Sequence, residues 1–138
     1  MMLPAQGAIL LSIADRNKAD AVSLIKDLAK VGYEIFATQG TASMVSELGI
    51  PVAIVPKAHE DGHPNTVDLI TSGTVQGVVN TISGERSALE DGFEIRRAAA
   101  EVRIPCFTWL DTARAAVESL AGGKDTYSVR PLPEYRDR

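Results

Sequence analysis

Thr38-Gln39-Gly40-Thr41 lies between an apolar stretch with strand character, Tyr33 to Ala37, and a helical pattern from Ala42 to Leu48. A glycine-containing turn that opens a helix leaves backbone N–H groups without intrahelical acceptors, and their partial positive charge faces outward. Threonine hydroxyls on either side add donors at the same point, so the string has the make-up of an anion cradle. A second junction of this kind comes earlier. The apolar run Ala8 to Ile13 leads into Ala14-Asp15-Arg16-Asn17-Lys18 and then a helical pattern, which puts Lys18 near a helix N-terminus. Two strand-to-helix junctions with phosphate-compatible groups point to one pocket at the carboxyl ends of a parallel sheet. A plainer reading of the same string stands beside this one: Gly40 makes the turn and Thr41 caps the helix, as threonine routinely does.

The elements that must position these groups follow from periodicity. Apolar runs at Ala8–Ile13, Ile35–Ala37, Val52–Val55, Gly77–Asn80 and Pro105–Trp109 alternate with segments of helical spacing, the pattern of an α/β chain with a parallel sheet. In the first helical segment Val22, Ile25, Leu28 and Ala29 form an apolar face while Asp20, Lys26, Asp27 and Lys30 fall elsewhere. Gly32 ends it, and Gly49 followed by Pro51 ends the second, which carries Met44, Val45 and Leu48. A short helix is expected over Val67 to Ser72, stopped at Gly73, and a longer one over Asp91 to Val102. The last runs from Asp111, its natural N-cap, to Leu120, with Ala113, Ala116, Val117 and Leu120 inward and Gly122-Gly123 as its end. From Lys124 the tail contains Arg130-Pro131-Leu132-Pro133, which cannot be a helix interior. The chain therefore divides into an extension over 1–6, a domain over 7–121 and a tail over 122–138.

A length of 138 residues fits one domain with a proper core. With 45% hydrophobic and 23% charged residues and no apolar run of spanning length, the expectation is a water-soluble globular protein with no membrane partner. Met1 to Gln6 lacks the basic and apolar regions of a secretory signal, so a cytoplasmic location is expected. Cys106, the single cysteine, is flanked by Ile104, Pro105 and Phe107 and reads as a buried inert thiol. A formal net charge of -4 argues against nonspecific nucleic-acid binding. Any anion must then be held locally, by the few basic residues near strand ends. His59 and His63, with Glu60 and Asp61, could supply metal ligands, but no third cluster joins them, and a surface loop is the expectation. Arg96 and Arg97, on a helix ahead of Glu101, read as solvent-facing or ion-paired. No metal or cofactor is expected, and Cys106 is given no catalytic role.

Five strings taken in order resemble a known family: Leu11-Ser12-Ile13-Ala14-Asp15-Arg16-Asn17-Lys18, Ala37-Thr38-Gln39-Gly40-Thr41-Ala42, Val55-Pro56-Lys57-Ala58-His59-Glu60, Val79-Asn80-Thr81 and Asp91-Gly92-Phe93-Glu94-Ile95-Arg96-Arg97-Ala98-Ala99. They look like the methylglyoxal-synthase-like domain at the carboxyl end of the large subunit of carbamoyl phosphate synthetase, over roughly residues 7 to 121. The resemblance implies a Rossmann-like three-layer sandwich with a five-stranded parallel or mostly parallel sheet. It also implies that the domain performs no chemistry and binds a nucleoside monophosphate, uridine or inosine monophosphate, or another phosphorylated ligand, as an allosteric effector. The implied partners are the remaining synthetase domains, in pyrimidine and arginine biosynthesis, with a homo-oligomer a further option. By position, the family's phosphate contacts fall on Lys18, Thr38 and Thr41, with Gly40 between them, and its further contacts fall on Lys57, Asn80 and Thr81. The chain departs from the family's usual Glu-Gly-Arg-Pro at Glu60-Asp61-Gly62-His63-Pro64, and from a threonine or serine at Ile82.

The alternative is a true methylglyoxal synthase, which removes a proton beside a carbonyl of dihydroxyacetone phosphate and expels phosphate. That chemistry needs a carboxylate base and an imidazole donor beside the phosphate cradle. The resemblance places one imidazole where this chain has Ala14, ahead of Asp15, and the other where it reads Ser83-Gly84-Glu85-Arg86-Ser87, while His63 stands near the expected catalytic aspartate and Asp61 could replace it only if the inserted residue shifts the loop. A regulatory module is the stronger expectation. A chain of this length cannot supply the two ATP-using domains that carbamoyl phosphate synthesis needs, so an excised fragment or a free-standing regulatory subunit is expected.

Overall fold

The structure, a computed structural model, describes residues 3–82 and 86–126. Strand β1 (Ala8–Ser12) is followed by a 3-10 turn (Asp15–Asn17) and helix α1 (Lys18–Lys30), then β2 (Glu34–Ala37), α2 (Gln39–Glu47) and β3 (Ala53–Ile54). The second half runs α3 (Thr66–Thr71), β4 (Gly77–Asn80), α4 (Arg86–Val102), β5 (Cys106–Phe107) and α5 (Leu110–Thr126). The five strands form one sheet in the order β3-β2-β1-β4-β5, and each neighbouring pair is parallel. This is the expected α/β architecture.

The strands alternate between the two faces, which is why β1 reads as an unbroken apolar run. Ile9 and Leu11 pack with Leu24, Ile25 and Leu28 of α1, Val45 of α2 and Val117 of α5. Ala8 and Leu10 face the other way, against Leu69 and Ile70 of α3 and Ile95, Ala98 and Ala99 of α4. Helices thus cover both faces, giving three layers. Burying Leu10, at 0% exposure, stabilises the fold by about 1.5–3 kcal/mol relative to leaving it in water. Among the described residues no helix is long and apolar enough to cross a membrane.

Several element bounds differ from the periodic reading. On α1 the fully buried face is Ala21, Leu24, Ile25 and Leu28, one step round from the expected stripe, with Val22 and Ala29 half-buried. Helix α2 starts at Gln39, so Gly40 and Thr41 sit inside its first turn and Thr38 holds the N-cap position. Helix α4 starts at Arg86 rather than Asp91, which makes Asp91 a mid-helix residue. Asp111 lies in the first turn of α5 instead of capping it and pairs with Arg114 at 2.8 Å. That helix also continues past Gly122-Gly123 to Thr126. Glycine stops a helix by taking a left-handed conformation, and otherwise is a costly but tolerated helical residue. The expectation for Arg130-Pro131-Leu132-Pro133 lies outside the described residues.

Candidate functional site

The strand order reverses at β1: the chain moves from β1 to β2 and β3 on one side, then crosses to β4 and β5 on the other. Loops leaving the carboxyl ends of β1 and β4 diverge at such a point and open a crevice. A cleft of about 320 Å³ lies there, and Lys18, Thr38, Gly40, Thr41, Lys57, Asn80 and Thr81 all line it. Residues from the loops after β1, β2, β3 and β4 therefore meet at one sheet edge, across 64 positions of sequence from Lys18 to Thr81 counted inclusively.

Neither Thr38 at the N-cap position nor Thr41 in the first turn caps α2 through its side chain. Thr41 is 2% exposed and its hydroxyl oxygen accepts a hydrogen bond from the Ile13 N–H at 3.0 Å. Thr81, on the opposite side of β1, accepts from the Ala14 N–H at 2.7 Å. Two threonines from the segments that follow the strands flanking β1 thus pin the loop that leads to Lys18. A hydroxyl that accepts still has its own proton to donate, so each can serve the loop and a ligand together. Thr38, 5% exposed, makes no side-chain capping bond to α2. Gly40 is not among the positive-φ glycines, so the turn does not require it. Its role is space: a Cβ there would stand 3.3 Å from the Lys18 Nζ. The lysine head therefore lies against the first turn of α2, whose N–H groups have no intrahelical acceptor.

The floor of the cleft is held by a chain of polar contacts. Asn80 Nδ2 donates to the Ser12 carbonyl at 3.5 Å, while its Oδ1 accepts from Arg96 Nη1 at 3.1 Å. Arg96 is thus drawn inward to position Asn80, a correction to the solvent-facing expectation, because α4 packs closely on the end of β4 at Gly92. A Cβ on Gly92 would meet Arg96 Nη1 at 2.7 Å and Asn80 Oδ1 at 3.0 Å. Arg97 is ion-paired with Glu101 at 3.5 Å, as expected. Arg16 also lines the cleft and donates to the Ile82 carbonyl.

Charge in the cleft is mixed. Lys18 Nζ is 2.5 Å from Asp15 Oδ1, and that hydrogen bond, with the lysine charge, holds the Asp15 carboxyl below its usual range. Asp91 lines the cleft as well, 8% exposed, and periodicity alone did not single it out. Its Oδ1 lies 2.6 Å from His59 Nδ1 and its Oδ2 lies 3.6 Å from Lys57 Nζ. Oδ2 is buried with no hydrogen-bond partner among the described residues. His63 instead pairs with Asp68 at 2.6 Å, so the two histidines serve different carboxylates. Among the described residues no group of three His, Cys, Asp or Glu side chains gathers to hold a metal. Cys106 is half-buried, and burial pushes its thiol pKa up despite Arg96 nearby.

Known proteins share this chain's sequence and fold. It is 45% identical over 130 residues to the carbamoyl phosphate synthase large chain of Thermomicrobium roseum, with 94% of this chain and 12% of that relative covered. It is 42% identical over 118 residues to the carbamoyl phosphate synthase large chain, C-terminal section, of Methanopyrus kandleri, covering 86% of this chain and 22% of that one. The chain therefore spans a small part of the curated relatives it matches. Among solved structures, methylglyoxal synthase from Elizabethkingia anophelis NUHP1 shares the fold, with a TM-score of 0.65 at 19% identity and coverage of 96% and 97% of the two chains. Homology thus ties the sequence to a section of carbamoyl phosphate synthase large chains, and since residues 20–108 match the model of the MGS-like domain, the chain belongs to that family.

Proposed function

We propose that this chain is the effector-binding, regulatory part of a carbamoyl phosphate synthetase, and that its cleft takes a nucleoside monophosphate by the phosphate group. The observation that carries this reading is the meeting of Lys18 with the open first turn of α2 beside Thr38 and Thr41. A lysine supplies point charge to a phosphate, and helix-terminal N–H groups with hydroxyls supply direction. Lys57, Asn80 and Thr81 extend the polar surface toward the rest of such a ligand. The other synthetase domains are the partners through which binding would regulate synthesis.

A ligand that binds only the folded state stabilises it by RT ln(1 + [L]/Kd), about 2.7 kcal/mol at a hundredfold excess over Kd. Uridine or inosine monophosphate should raise the melting temperature in a thermal-shift titration. Lys18→Ala removes a charge-assisted contact and should weaken binding about tenfold or more. No shift at millimolar nucleotide, or an unchanged affinity in Lys18→Ala, would sink the reading.

The lyase alternative draws on one specific feature, the Asp91 carboxylate facing the same cleft. Against it, His59 is not among the residues that line the cleft, and its Nδ1 is engaged with Asp91 Oδ1 at 2.6 Å, whereas the lyase needs an imidazole placed to donate to the carbonyl oxygen. Incubation with dihydroxyacetone phosphate should give no methylglyoxal above a protein-free control. Turnover abolished by Asp91→Asn would establish the lyase reading instead.

A further inference from the structure

We infer that Asp91 makes the cleft selective for an anion that carries its own hydrogen-bond donor, so that a phosphate bearing a hydroxyl binds and an anion of equal charge without one is refused. The inference rests on the anion-binding reading and deepens it. An anion pocket gains nothing from a carboxylate as such, since the two like charges repel. Yet Asp91 lines this cleft and is 8% exposed, with Oδ1 occupied by His59 Nδ1 at 2.6 Å and Oδ2 left without a hydrogen bond among the described residues. A buried acceptor without a partner is costly, and a buried charged one more so. Lys57 stands 3.6 Å from Oδ2, too far to hydrogen-bond, on a side chain 38% exposed. A phosphate that draws Lys57 toward itself uncovers Oδ2 to the same ligand. An O–H or N–H on that ligand then completes the carboxylate, whereas a ligand without one leaves two anionic groups facing each other.

The donor has two possible sources, the phosphoryl group itself or the organic part attached to it. Two matched pairs at pH 8 separate them, titrated calorimetrically into the 138-residue chain. Inorganic phosphate and sulfate are then both dianions, but only phosphate keeps an acidic O–H. Glycerol 3-phosphate and n-propyl phosphate are also both dianions, since a phosphate monoester has its second pKa near about 6, but only the first carries carbon-bound hydroxyls. The wild type should prefer the donor-bearing member of at least one pair by about tenfold, the scale of a hydrogen bond to a charged group. The pair showing the preference identifies the source. In Asp91→Asn the amide oxygen stays toward the His59 Nδ1–H and the NH2 takes the Oδ2 position, now a donor. The preference should fall to within about twofold, with sulfate or propyl phosphate gaining affinity. Equal binding within both pairs by wild type overturns the inference while leaving the anion reading intact, and needs no variant to fold. A preference that survives in Asp91→Asn also overturns it. Failure of all four anions to bind defeats the anion reading, and this inference with it.

Discussion

Lys18 has two competing partners, the exposed Asp15 carboxylate at 2.5 Å and whatever occupies the cleft. Asp15 is 94% exposed at its side chain, so its hold on the lysine is weak and screened by salt. Asp15→Asn should therefore tighten anion binding by about two- to fivefold at low ionic strength, and calorimetry at rising salt should show that gain shrinking. An unchanged or weakened affinity would mean that Lys18 does not meet the anion. At this scale the sequence was legible where residue type and spacing carry the chemistry: Lys18, Thr38, Gly40 and Thr41 could be nominated before any contact was known, while Lys57, Asn80 and Thr81 came from the family resemblance. The threonine-to-loop bonds were not legible, because Thr41 and Ile13 are 28 residues apart and Thr81 and Ala14 are 67 apart. Asp91 was passed over because its importance comes from an unfilled oxygen, which no spacing reveals.

Among the elements, α3 shows a complete capping box. Asn65 accepts from the Asp68 N–H and Asp68 accepts from the Asn65 N–H, both at 2.9 Å. Asn65→Ala should cost about 1 kcal/mol of unfolding free energy, the usual worth of such a cap, read from denaturant unfolding. Asp68 adds a pH dependence. The hydrogen bond with His63, and after it the one with the Asn65 N–H, holds the Asp68 carboxyl below its usual range. A carboxyl depressed in the folded state contributes stability that is present above its unfolded pKa, about 3.9, and is lost as pH falls through the lower folded value. Stability followed from pH 5 downward should thus decline more steeply in wild type than in Asp68→Asn, and identical profiles would contradict this. The helices were legible by period and their glycine stops, but their starts were not. Helix α4 opens at Arg86, five residues before its expected start, so Asp91 lies within the helix and does not begin it. Helix starts depend on what the first turn packs against, which periodicity does not encode.

For the molecule as a whole, one sheet order does most of the positioning. With β1 central and β2 and β4 beside it, four loops must converge at the carboxyl edge. The alternating apolar runs made the parallel α/β class readable, because strands covered on both faces need apolar residues at every position. Order and register could not be read from periodicity, since any of the short strands could have stood at an edge; in the structure the two edges fall to the two-residue strands β3, exposed at both positions, and β5. The chain's relatives are far longer, with 12% of the Thermomicrobium roseum large chain covered, so the proposed regulation has to be tested in a larger assembly while the proposed binding can be tested on this chain. The most direct measurement is an amide NMR titration of the chain with uridine monophosphate. Binding of the phosphate in the cleft requires that the largest shift changes fall on Gln39, Gly40 and Thr41, with smaller ones at Ala14 to Lys18 and at Asn80 and Thr81. Saturable changes mapping to another surface, or none at millimolar nucleotide, would contradict it.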